Sequence, residues 1–217
     1  MPFNLEREAL IASGVKEDTW VDKYISKLDQ LHKQFIHEIH TTHDPLSTAK
    51  LVFNWLWMKK PSRYTPNAHY RLNHVIDCQL SKDTIEVGNC LGLTLLYNCL
   101  LRRAGIDVEA LYVENAFGRG PHVLTILSVG ELLIDIENIV PDGFDFRGHL
   151  NDPSRTRWGA KELVADIYHS RANECFERGE YEDALKHYER AIILNPHYEK
   201  AHLNKAIVLD RISMKNS

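Results

Sequence analysis

The chain has 217 residues, 44% hydrophobic and 26% charged, with a formal net charge of −4. That length accommodates one ordinary core plus a small appendage. The slightly acidic balance leaves no global basic footprint for nucleic acid. No apolar run approaches the ~20 residues needed to cross a bilayer, so neither nucleic acid nor membrane is expected as a partner.

The first sixty residues read as helices. The N-terminus, from Met1 to Leu10, carries Glu6, Arg7 and Glu8 and lacks the apolar core of a signal peptide. A helix can begin at Asp18-Thr19-Trp20, with Trp20, Tyr24, Leu28 and Leu31 at helical spacing. Pro45 separates it from a second helix, Ser47 to Lys59, which stops at Lys60-Pro61. Residues 61–71 form a polar loop, and Leu72 to Leu80 is again helical. The next helix starts at Gly88-Asn89-Cys90, capped by Asn89, with Leu93, Leu96, Tyr97, Leu100 and Leu101 on a stripe and Gly105 as its stop.

Beyond Gly105 the pattern shortens into strands: Asp107 to Val113, His122 to Leu127, and Leu132 to Ile136. The last two make a hairpin around Gly130. With Val129-Gly130 as its turn, His122 faces Glu137, and a shift of two residues places Asp135 opposite instead. Asp135 and Glu137 share a face, and the hairpin alone does not choose between them. Residues 138–160, rich in Gly and Pro, read as a connecting loop, and helical pattern returns at Lys161.

The chemistry centres on Cys90. A cysteine just inside a helix start feels the positive end of the macrodipole and unpaired backbone N–H groups, which favour the thiolate, the nucleophilic form. Cysteine, then histidine, then carboxylate is the order of parts for a thiol nucleophile, its base and the group that orients the base. The other three cysteines, Cys78, Cys99 and Cys175, read as core residues. The four together show neither paired zinc spacing nor a disulfide framework, which suits reduced thiols in the cytoplasm. His37, His40 and His43 miss the zincin spacing and read as a solvated face; no metal and no cofactor are expected. Trp55 and Trp57 point to different helix sides, toward core or a pocket wall.

At Gly88-Asn89-Cys90, His122 and Ile134-Asp135 the chain resembles the transglutaminase-like superfamily, whose core shares the papain-like arrangement. It is most similar to the bacterial branch in which such a domain precedes tetratricopeptide repeats. Tyr24-Ile25-Ser26-Lys27-Leu28-Asp29 is similar to an early helix motif of that branch, and Leu72-Asn73-His74-Val75 to its Leu-Asn-x-Val segment. The resemblance implies Cys90 as nucleophile, His122 as base and Asp135 as the orienting carboxylate. Residues 165–198 resemble one tetratricopeptide repeat, with Gly179-Glu180-Tyr181-Glu182-Asp183-Ala184 at the inter-helix turn and Tyr188, Ala191 and Pro196 at later signature positions. Arg171 and Cys175 depart from the repeat's usual leucine and aromatic. Ala206 and Leu209 suggest the first helix of a second repeat.

These readings set the expectations. The fold class is α+β: a papain/transglutaminase-like core over residues 1–160, and a helical tetratricopeptide tail over 161–217. About one and a half repeats have too little mutual core, so the tail should dock on the first domain through Tyr168, Cys175, Tyr188 or Leu209. The function expected is acyl transfer by a Cys90–His122–Asp135 triad, as peptidase, amidase or transglutaminase-like enzyme. Asn73 or Gln79 is a candidate side-chain oxyanion donor beside the Cys90 backbone N–H. The partner is a protein or peptide. The alternative is a non-catalytic interaction module on the same fold.

Overall fold

The computed structural model describes residues 3–39 and 44–215. Helix α1 (Leu5–Ala12) begins where the Asn4 side chain accepts from the Arg7 N–H at 3.1 Å. Helix α2 (Asp18–Glu38) buries Val21, Leu28, Leu31 and Phe35, spaced seven, three and four apart. Trp20 falls just outside that stripe; it is 47% exposed, with the Lys23 ammonium over its ring, and is not a core residue. Helix α3 (Pro45–Lys59) starts with proline at its first position and with Asp44 accepting from the Ser47 N–H at 2.8 Å. Both tryptophans of α3 are buried: Trp55 donates its indole N–H to Glu38, and Trp57 packs beside Phe53.

Helix α4 (Leu72–Leu80) lies against α5 (Cys90–Arg103), which is buried continuously from Leu91 to Leu101. A helix apolar nearly all round belongs in the middle of a core. Thr94 and Asn98, within that buried run, are satisfied from the sheet side: Thr125 Oγ1 donates to Asn98 Oδ1 at 2.6 Å, and Asn138 Nδ2 donates to Thr94 at 3.2 Å and Thr125 at 3.0 Å. This closed polar network fixes the register of α5 on the sheet.

The sheet comprises β1 (Val108–Val113), β2 (His122–Val129), β3 (Leu132–Ile136) and β4 (Thr156–Trp158), antiparallel in the order β3-β2-β1-β4. Strand β4 lies inside the segment expected to be loop. It is three residues long, and the Trp158 ring stacks on Tyr112 at 4.2 Å. The β2–β3 register pairs Val129 with Leu132 and Ile126 with Asp135. The turn is therefore Gly130-Glu131, not Val129-Gly130; Gly130 takes the positive φ, 59°, at the first turn position.

Helices α6 (Ala160–Glu177), α7 (Tyr181–Leu194) and α8 (Glu199–Lys215) form the tail, and one buried cluster runs from Leu5 to Val208. The tail meets the rest through Arg171, which donates to the Ala12 carbonyl at 2.8 Å, and through the Arg71–Glu174 ion pair. Tyr198 adds an edge contact to Tyr112 and Trp158. Tyr188 instead bonds to Asn173 within the tail, and Leu209 is 47% exposed. Among the described residues no helix is long and apolar enough to cross a membrane.

Candidate active site

Cys90 stands at the first position of α5, half-buried, with its backbone N–H outside the intrahelical ladder. Asn89 caps the helix by accepting from the Gly92 N–H at 3.1 Å. The 61–71 loop is clamped to this end: Val87 N–H donates to the Arg63 carbonyl at 2.8 Å, and Asn89 N–H to the His69 carbonyl at 3.1 Å. The approach is so close that a Cβ on Gly92 would lie 2.4 Å from the His69 oxygen, so only glycine fits. The same clamp brings Tyr64 near Cys90 and Glu137. Burial, and then the charges of those two groups, raise its phenol above the ordinary value. On the other side of Tyr64 lies an open groove lined by Asn67, His69, Cys78 and Glu86, and Cys90, His122 and Glu137 do not line it.

His122 is the first residue of β2 and is 7% exposed. Its Nε2 donates to Glu137 Oε2 at 2.7 Å, which leaves Nδ1 as the ring nitrogen open to Cys90. Burial alone would depress this imidazole. Its contacts with the Cys90 thiol and the Glu137 carboxylate outweigh burial and hold its pKa up at about 10. Glu137 follows β3 directly and is fully buried. Its backbone N–H donates to the Gly143 carbonyl at 2.8 Å. Burial pushes its carboxyl up, but the His122 and His149 imidazoles override this and hold it below the usual value. Phe117, at φ 55°, is a bulky residue in the left-handed region; its ring lies against His122 at 5.8 Å and His149 at 4.8 Å.

In the structure Glu137, and not Asp135, lies against the His122 ring, which also interacts with Cys90. Asp135 opposes Ile126, four residues along β2 from His122, a distance of about 13 Å. Its carboxylate is taken by Arg155 instead, at 2.6 and 3.0 Å. Glu137 lies two residues farther along and reaches the ring. Asn73, on α4, has its amide oxygen buried and unpartnered. Gln79 is buried on α4, with its amide oxygen unpartnered. Among the described residues neither makes a hydrogen bond to Cys90 or His122. Burial pushes the thiols of Cys78, Cys99 and Cys175 above the ordinary value. His37 is exposed at the end of α2, while His40 and His43 lie outside the described residues.

Sequence reasoning missed His149 and Arg155. Both sit in the 138–160 segment, whose Gly and Pro residues signalled only a loop. Residues 165–198 match the tetratricopeptide repeat family model, so the tail contains such a repeat. No curated protein and no solved structure matches the chain.

Proposed function

We propose that this chain is a thiol-dependent acyl-transfer enzyme of the transglutaminase-like kind, with Cys90 as nucleophile, His122 as base and acid, and Glu137 as the orienting carboxylate. The observation that supports it most is the meeting of three distant elements: a helix start supplies a thiol, a strand start an imidazole, and a strand end a fully buried carboxylate 2.7 Å from that imidazole.

In this reading Cys90 Sγ, as thiolate, attacks the carbonyl carbon and forms a C–S bond. The oxyanion is stabilised by the Cys90 backbone N–H at the positive end of α5. The C–N bond breaks as the His122 imidazolium gives its proton to the leaving amine. Water or a second amine then attacks the thioester, His122 takes its proton, and the thiolate leaves. Glu137 keeps Nε2–H engaged and stabilises the imidazolium.

p-Nitrophenyl acetate tests this. The expected result is a burst of one p-nitrophenolate per chain with the acetyl group found on Cys90, a burst that is lost in Cys90→Ser. No burst, or acetylation elsewhere, refutes it. The second reading is a non-catalytic protein-interaction module; its support is the tetratricopeptide repeat, a type of element that commonly binds proteins.

A further inference from the structure

His149 enters the site from the loop beyond β3 and is 4% exposed. Its Nε2 is buried without a hydrogen-bond partner and points at Glu137 Oε2 from 3.6 Å, too far for a full bond. A buried ring nitrogen aimed at a carboxylate oxygen that already holds a second imidazole, and too far from it for a full hydrogen bond, is under-satisfied as it stands. One donor atom from each of His122, Glu137 and His149 falls within 4.8 Å of the others. Two imidazoles and one carboxylate form a common donor set for a divalent transition metal, and zinc suits it best in a four-coordinate site with one open position. Metal–ligand bonds of 2.0–2.1 Å in a tetrahedron place donor atoms about 3.4 Å apart. The distances here, 2.7 Å between His122 Nε2 and Glu137 Oε2 and 3.6 Å between His149 Nε2 and the same oxygen, straddle that value. The third edge, between the His122 and His149 donors, is within 4.8 Å, so small side-chain shifts open the triangle around an ion.

We propose that His122, Glu137 and His149 form a zinc-binding site that shares two residues with the thiol site, so that a bound ion and an active Cys90 exclude one another. The ion takes His122 Nε2 and Glu137 Oε2, replacing the hydrogen bond between them. Glu137 then no longer supports an imidazolium, and His122 no longer serves Cys90. His149 is the residue that belongs to the metal site alone. Phe117 and Phe146 pack against its ring, at 4.8 and 5.2 Å, and hold it in place. The ligand set stands on geometry; the mutual exclusion rests on the thiol reading above.

The test uses the full chain and Zn2+ titrated in competition with a chromophoric chelator. Wild type should bind one ion. His149→Ala and the milder His149→Gln should weaken binding at least tenfold, whereas Cys90→Ser and His37→Ala should bind within twofold of wild type. X-ray absorption of the zinc-loaded wild type should read imidazole and oxygen ligands without sulfur, and this requires no variant to fold. Absence of binding, loss only in His37→Ala or Cys90→Ser, or a sulfur ligand overturns the site. Iodoacetamide labelling of Cys90 separates the two claims. Slow labelling of the metal-free protein fails the thiol reading alone. Fast labelling that saturating Zn2+ leaves unchanged fails the exclusion.

Discussion

Replacing Glu137 by Gln keeps the side chain's shape and removes its charge from a position with no solvent exposure. The carboxylate supplies both a 2.7 Å hydrogen bond and a negative charge to His122, and it is one of the two groups that lift that imidazole from 6.5 to about 10. That rise corresponds to a few kcal/mol of preference for imidazolium, and a share of only about 1.4 kcal/mol for Glu137 would move the ring's titration by a full pH unit. The expected outcome for Glu137→Gln is therefore a downward shift of at least about one unit in the His122 titration, read by NMR of the imidazole ring. The iodoacetamide rate of Cys90 near neutral pH should fall about tenfold in parallel, because the imidazole that serves the sulfur loses its charge and its orienting partner. Loss of one partner from a buried pair also costs about 3 kcal/mol of stability, so both readings are taken well below the melting transition. A His122 titration and a Cys90 rate that both match wild type would refute the role given to Glu137.

Asp135→Asn should behave in the opposite way. It breaks the clamp with Arg155 and costs about 3 kcal/mol in denaturant unfolding, yet it leaves Cys90 labelling within twofold of wild type; a large loss of labelling would restore Asp135 to the site. The pH dependence of stability follows from the same pair. His122 is raised, so its contribution is complete below 6.5 and is lost as pH climbs through about 10. Glu137 is lowered, so its contribution is present above its unfolded value and is lost as pH falls through its folded one. The melting temperatures of wild type and His122→Gln should therefore converge between pH 7 and about 10, and parallel curves would contradict this. Gly92→Ala drives a methyl to 2.4 Å from the His69 carbonyl and 2.7 Å from Val75 Cγ2. It should lower stability by about 3 kcal/mol in urea unfolding; a neutral result would mean that the 61–71 loop is not clamped on α5.

Much of the architecture was legible locally. The start of α5 was marked by Asn89, and α4 by the apolar spacing of Leu72, Val75 and Ile76, because caps and periodicity act over a turn or two. Strand β3 was bounded by its own alternation, but the β2–β3 register was not, since a shift of two residues preserves which side chains share a face. That ambiguity is the reason Asp135 and Glu137 could not be separated in the sequence: both have the right parity, and only the Gly130-Glu131 turn sets which one lies beside His122. Strand β4 has no local signature because three residues show no periodicity; it is held by its pairing with β1 and by the stacking of Trp158 on Tyr112. His149 and Arg155 are placed by a loop that returns along β3, where Phe146 N–H donates to the Asp135 carbonyl at 2.8 Å. No local pattern encodes such a return.

The most direct measurement of the central claim is iodoacetamide labelling of the folded protein across pH, with each cysteine followed by peptide mass spectrometry. Cys78, Cys99 and Cys175 are held back by burial, whereas Cys90 is half-buried at a helix start beside an imidazole that is protonated at neutral pH. The expected result is that Cys90 labels fastest and that His122→Ala slows it by about tenfold near neutral pH. Faster labelling of any other cysteine, or a Cys90 profile unchanged by His122→Ala, would contradict the thiol site.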